Sequence, residues 1–176
     1  LSIPAAVMIH YNLGGTLSAL NNAGTLTTSG LVNVGAALDN SGTLTVQSGA
    51  LTLGGGGAWA GTQAVTITAG ALGLAGGTFN LGGTIVASGG GSILFSGATA
   101  SVTGAFSSTA FTRVTAGTVS FNQAQPATLT QLFVTGGELG GSGVVDVDQS
   151  FTWSGGSLTG AGRTLVPGLW DHPHRE

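Results

Sequence analysis

At 176 residues the chain has the length of one domain, yet only 5% of it is charged and 34 residues are glycine. An average soluble protein is about a quarter charged and about 7% glycine, so a coiled coil and a charge-laced helical bundle are excluded. Ordinary disorder, which needs low hydrophobicity with high charge, is excluded too. Three arginines, no lysine and a net charge of −3 leave no basic stripe for nucleic acid and no polybasic segment for an anionic membrane.

Residues 1–14 are almost free of glycine and are expected to form an N-terminal cap lying across the first coil of a glycine-rich repeat region. The opening LSIPAAVMIHYN has no basic n-region, so no signal peptide is assigned to it. No stretch of the chain reaches the roughly 18 apolar residues of a spanning helix, and no membrane insertion is expected. With no cysteine there is no disulfide or thiol chemistry, and the redox compartment stays open.

From residue 15 a loose repeat takes over. Its runs are GTLTTSG at 24–30, GTLTVQSG at 42–49, AVTITAG at 64–70, FVTGG at 133–137 and FTWSGG at 151–156. Most are followed by a second short run: ALTLG at 50–54, ALGLA at 71–75, ELG at 138–140 and SLTG at 157–160. Apolar residues alternate within each run, which describes a strand with one face buried. Helices are disfavoured by Gly, Thr and Val together.

Such short strands cannot make a stable sheet alone. Equivalent runs recur about every 18–23 residues, within the range of stacked coils that share one core. Residues 15–164 are therefore expected to form an all-β, right-handed parallel β-helix (a β-solenoid) of about seven or eight short coils. An antiparallel sandwich is the competing architecture, but the Asn-Gly and Asp-Gly pairs of tight hairpins are missing. Glycine without a Gly-X-Y period, and only 4 prolines, excludes collagen. Residues 165–176, with Pro167, Trp170 and Pro173, are expected to be a C-terminal cap or tail.

The segments GTLTVQSGALTLG at 42–54 and FTWSGGSLTGAG at 151–162 resemble the Gly/Thr/Ser-rich coils of bacterial surface adhesins. The likeness is to autotransporter passenger regions and filamentous-haemagglutinin-like β-solenoid repeats. It implies a secreted or surface-displayed stalk, and carries no residue-specific site. The number of coils expected here is smaller than in a typical long passenger.

Candidate chemistry is sparse. Asp146 and Asp148 stand two apart and share a strand face, as a Ca²⁺ site or an acid and base pair would require; a solvated outer face has the same pattern. Polysaccharide lyases and galacturonases also use β-helices, which makes a carbohydrate-active enzyme a rival reading, with Arg163 as the cation nearest in sequence to these acids. The expectation is nevertheless no enzyme, with no catalytic residue, no metal and no cofactor. His172 and His174 with Asp171 have ligand chemistry but read as part of a tail, and His10 is ordinary. Trp59 and Trp153 are either sugar-stacking platforms or fillers of coil corners and core.

Four Thr-x-Thr pairs stand out: Thr25/Thr27, Thr43/Thr45, Thr66/Thr68 and Thr128/Thr130. Stacked coils would arrange them as a two-column ladder about 4.8 Å apart vertically, resembling the ice-binding face of solenoid antifreeze proteins. For this ice-binding alternative the candidate residues are Thr25, Thr27, Thr43, Thr45, Thr66 and Thr68. Separations of 18, 23 and 62 residues between successive pairs interrupt the ladder, and Thr also simply suits exposed strand positions. The leading expectation is a structural or adhesive module, self-associating into filaments or engaging a host or cell-surface glycan, with little charge to keep ends apart.

Overall fold

A computed structural model describes residues 2–3 and 19–166. Among them every strand pairing is parallel, and each strand lies beside its counterpart one coil away, 18–22 residues along the chain. The result is a β-solenoid of about seven turns with three faces. The antiparallel sandwich is excluded.

The first face stacks Ala19–Asn22, Ala37–Asn40, Gly57–Trp59 and Thr78–Leu81, then residues 99–102, 118–121, 138–141 and 157–158. The second stacks Thr25–Thr28, Thr43–Val46, Thr62–Ile67, Thr84–Ser88 and Phe106–Ser108, then residues 127–129 and 144–147, then Arg163–Leu165. The third stacks Leu31–Val34, Ala50–Leu53 and Ala71–Leu74, then residues 92–95, 111–114, 132–134 and 151–153. From residue 92 onward, Ser92–Val102, Phe111–Phe121, Ala127–Gly141 and Val144–Leu158 each run through a corner unbroken. The register between neighbouring long strands slips at such corners, as at Phe95/Ser96.

Period-two alternation drives this winding. On the third face one inward column runs Val32, Leu51, Leu72, Ile93, Thr112, Leu132, Phe151, and the other runs Val34, Leu53, Leu74, Phe95, Val114, Val134, Trp153. Within the columns each side chain is covered by the one above and the one below, the end rungs on one side only, and burying a Leu or Val this way is worth about 1.5–3 kcal/mol. One coil alone could not hide them. Where a column loses volume, a neighbour supplies it: Gly57 has no side chain, and the Trp59 and Phe79 rings meet beside it edge to face, 6.2 Å apart.

The early corners into the third face use backbone that glycine supplies. Gly30, Gly49 and Gly70 stack at the turn into the third face with φ of +78°, +74° and +92°. A Cβ on Gly49 would fall on the carbonyl oxygen of Gly30, and one on Gly70 on that of Gly49. The close approach lets Ala50 N donate to Gly30 O at 2.8 Å and Ala71 N to Gly49 O at 3.0 Å, so the ladder continues around the bend.

Polar side chains also enter the core. Asn22 and Asn40 share an inward column of the first face, and the Asn22 amide donates to Asn40 Oδ1 at 2.7 Å. The same amide donates to Thr43 O at 3.1 Å, while Asn40 Nδ2 donates to Gly42 O at 3.2 Å, so the amides tie the corner between first and second faces. Gln63 extends the series, donating to Asn40 O and Ala60 O at 2.7 and 3.0 Å.

Of the expected N-terminal cap, Ser2–Ile3 pairs in parallel with Asn21 and Asn22 on the first face; residue 1 and residues 4–14 lie outside the described residues. Of the expected C-terminal cap or tail, Leu165 and Val166 are described and residues 167–176 are not.

Candidate functional site

Side chains that alternate out of the core are the ones available to a ligand, and each face presents a different pair of outward columns. On the second face, Thr25 stands beside Thr43, and Thr27, Thr45, Thr66 and Ser88 succeed one another in one column. Thr27 is only 9% exposed and Thr45 and Thr66 are half-buried. The pairs 25/27 and 43/45 therefore stack as the spacing predicts. Thr66 pairs with the second member of the Thr43/Thr45 pair, and Thr68 falls beyond the end of strand Thr62–Ile67. Thr128 lies much further along, between Ser107 and Asp146.

A more regular array lies on the first face. Thr78, Thr99 and Thr118 form one outward column, and Asn80, Ser101 and Ser120 form the other. Three successive rungs match in register at both positions. Sequence reading missed them because the second member is Asn or Ser; the signal that would have found them is TFN, TAS and TVS at spacings of 21 and 19 residues. The first column continues into Glu138, whose Oε1 accepts from Thr159 Oγ1 at 2.6 Å.

The third face carries aromatic side chains. Arg113 and Phe133 are direct neighbours in one outward column, and the guanidinium lies over the Phe133 ring at 5.1 Å from its centroid. Phe111 stands in the other column, its ring 6.2 Å from that of Phe133 at 53°. Arg113 is exposed and both rings are half-buried. These residues come from two separate coils, so no local motif announced them.

Trp59 is 3% exposed and donates from Nε1 to Leu38 O at 3.1 Å, which places it in the core and excludes it as a sugar platform. Trp153 comes after Val134 in an inward column, but no further rung of the third face lies beyond it among the described residues, and it is 56% exposed. Phe151, Leu158 and Val145 share that end of the solenoid and line an open recess of about 290 Å³.

Asp146 and Asp148 both point outward, alternating with buried Val145 and Val147; Asp146 is half-buried and Asp148 exposed. Arg163 pairs with Val144, whereas Asp146 pairs with Leu165, so the chain does not set Arg163 directly beside either acid in the ladder. Among the described residues no three His, Asp or Glu side chains gather as metal ligands. His10, Trp170, Asp171, His172 and His174 lie outside the described residues.

No protein-family model, curated protein or solved structure matches the chain.

Proposed function

We propose that the chain is a structural and adhesive β-solenoid module of a secreted or surface-displayed bacterial protein, serving as a rigid rod and not as an enzyme. The observation that carries this reading is the pair of inward columns on the third face, which continue through seven rungs, with only Thr112 polar, beneath outer faces that are almost uncharged. A core of that kind resists local opening because each interior rung is held on both sides. Its low charge also offers little repulsion between neighbouring molecules, which favours side-by-side or end-to-end association. Scattered acids, an Arg163 set off from them and the resemblance of the coils to adhesin repeats weigh against catalysis.

Small-angle scattering together with proteinase K digestion tests the rod. Expected are an elongated particle and a resistant fragment spanning about 19–165; a rapidly degraded, expanded chain would retire the reading. Negative-stain microscopy over a concentration series tests association, with lengthening fibres expected. Turnover of acidic polysaccharides that disappears in Asp148→Asn would replace the module with an enzyme.

Ice binding is the second reading, favoured by the in-register Thr78/Asn80, Thr99/Ser101 and Thr118/Ser120 rungs. Methyl and hydroxyl groups at about 4.8 Å spacing along the rod would order water against the first face. Micromolar protein should then inhibit ice recrystallisation. Thr99→Tyr abolishing the effect assigns it to the first face, and Thr43→Tyr abolishing it assigns it to the second. No inhibition removes the reading.

A further inference from the structure

We infer that the third face, at Phe111, Arg113 and Phe133, is a binding site for a carboxylate-bearing polysaccharide. This deepens the adhesive part of the reading above and rests on it. The chain holds six acids against three arginines, yet the outward positions of this face from Leu31 to Thr152 carry no carboxylate at all. Arg113 is the one charged residue among them. Its guanidinium is permanently charged, is exposed, and lies over the Phe133 ring rather than in an acid's grip.

An ordinary surface arginine is mobile and loses entropy on binding. Here the Phe133 ring beneath it restrains the side chain, and among the described residues no hydrogen bond to a carboxylate engages its N–H groups, which suit a carboxylate in bidentate geometry. Phe111 and Phe133 occupy opposite columns on neighbouring rungs, Phe111 on the same rung as Arg113. The apolar surface these rings leave uncovered matches the C–H face of a sugar ring. Gln131 lies beside them, its Nε2 donating to Gln149 Oε1 at 3.2 Å, and offers amide groups to hydroxyls. A lone phosphate or sulfate would use the cation but neither ring; a neutral glycan would use the rings but not the cation. A uronic-acid chain uses both, and because adjacent rungs are about 4.8 Å apart, an extended chain can lie along the column.

The test is calorimetric titration of the full chain with polygalacturonate oligomers, with dextran and poly-glutamate as comparators. Expected are binding to polygalacturonate, at least tenfold weaker binding to both comparators, and at least a tenfold loss in Arg113→Gln and in Phe133→Ala. Arg163→Gln, on the second face, should leave affinity unchanged, and circular dichroism of each variant establishes that it is folded. Poly-glutamate binding as tightly as polygalacturonate would mean attraction by charge alone and overturn the site. So would equal loss in Arg163→Gln, retained affinity in Arg113→Gln, or no binding by the wild-type chain. Failure here in a protein that passes the scattering and protease tests removes the site and leaves the rod standing.

Discussion

The side-chain amide of Asn22 donates to the side-chain oxygen of Asn40 at 2.7 Å, one rung to the next, although both residues are at most 2% exposed. Gly24 N donates in turn to Asn22 Oδ1 at 3.2 Å, so this buried pair is satisfied on several sides. Replacing Asn40 leaves one buried N–H of Asn22 without its acceptor. Asn40→Ala should lower the unfolding free energy by about 1–3 kcal/mol in urea titration. Asn22→Leu combined with Asn40→Leu should cost less than the sum of the single changes, because neither amide is then left unpaired.

Thr112 presents the opposite case. It is fully buried between Ile93 and Leu132, and its hydroxyl has no hydrogen-bond partner. Thr112→Val keeps the shape and removes the unpaired group. The variant should be more stable than the parent by about 1 kcal/mol in the same titration.

Glycine at the corners is expected to be unequal in value. Gly49→Ala forces a left-handed backbone, costing about 1–2 kcal/mol, and sets a methyl against the Gly30 carbonyl in addition. Gly35 has open space around it and no such φ. Thermal unfolding should fall clearly in Gly49→Ala and stay within about 0.5 kcal/mol of the parent in Gly35→Ala.

Leu72 sits inside the third-face core between Leu51 and Ile93. Leu72→Ala should cost about 2–5 kcal/mol. Hydrogen exchange should quicken in the rungs directly above and below it more than at residues 20 or 139, since coils support only their neighbours.

The coils were legible in the sequence because burial on one face leaves a period-two trace that glycine punctuates, as in GTLTVQSGALTLG at 42–54. Register was not. Thr43 and Thr66 look equivalent by pattern, but the strand Thr62–Ile67 is two residues longer than Thr43–Val46, and the extra length moves Thr66 beside Thr45. Coil length is set by corner geometry, which tolerates 18 to 22 residues and so hides the alignment from any fixed repeat. The Arg113–Phe133 contact was invisible for the same reason: only the completed winding decides which side chains of different coils become neighbours. Trp153 stayed open between core and surface because a lone Trp on an alternating run reads alike whether the next coil covers it or not.

Parallel pairing throughout the described residues gives the rod a head and a tail that cannot be interchanged. Its rows work like marks on a ruler: the hydroxyl rungs and the arginine lie at set heights and on set sides. Splicing in one more turn would lift everything beyond it by a single step of about 4.8 Å without scrambling the pattern within any row. Lineages could thus lengthen or shorten the reach of such a molecule while preserving what each row displays.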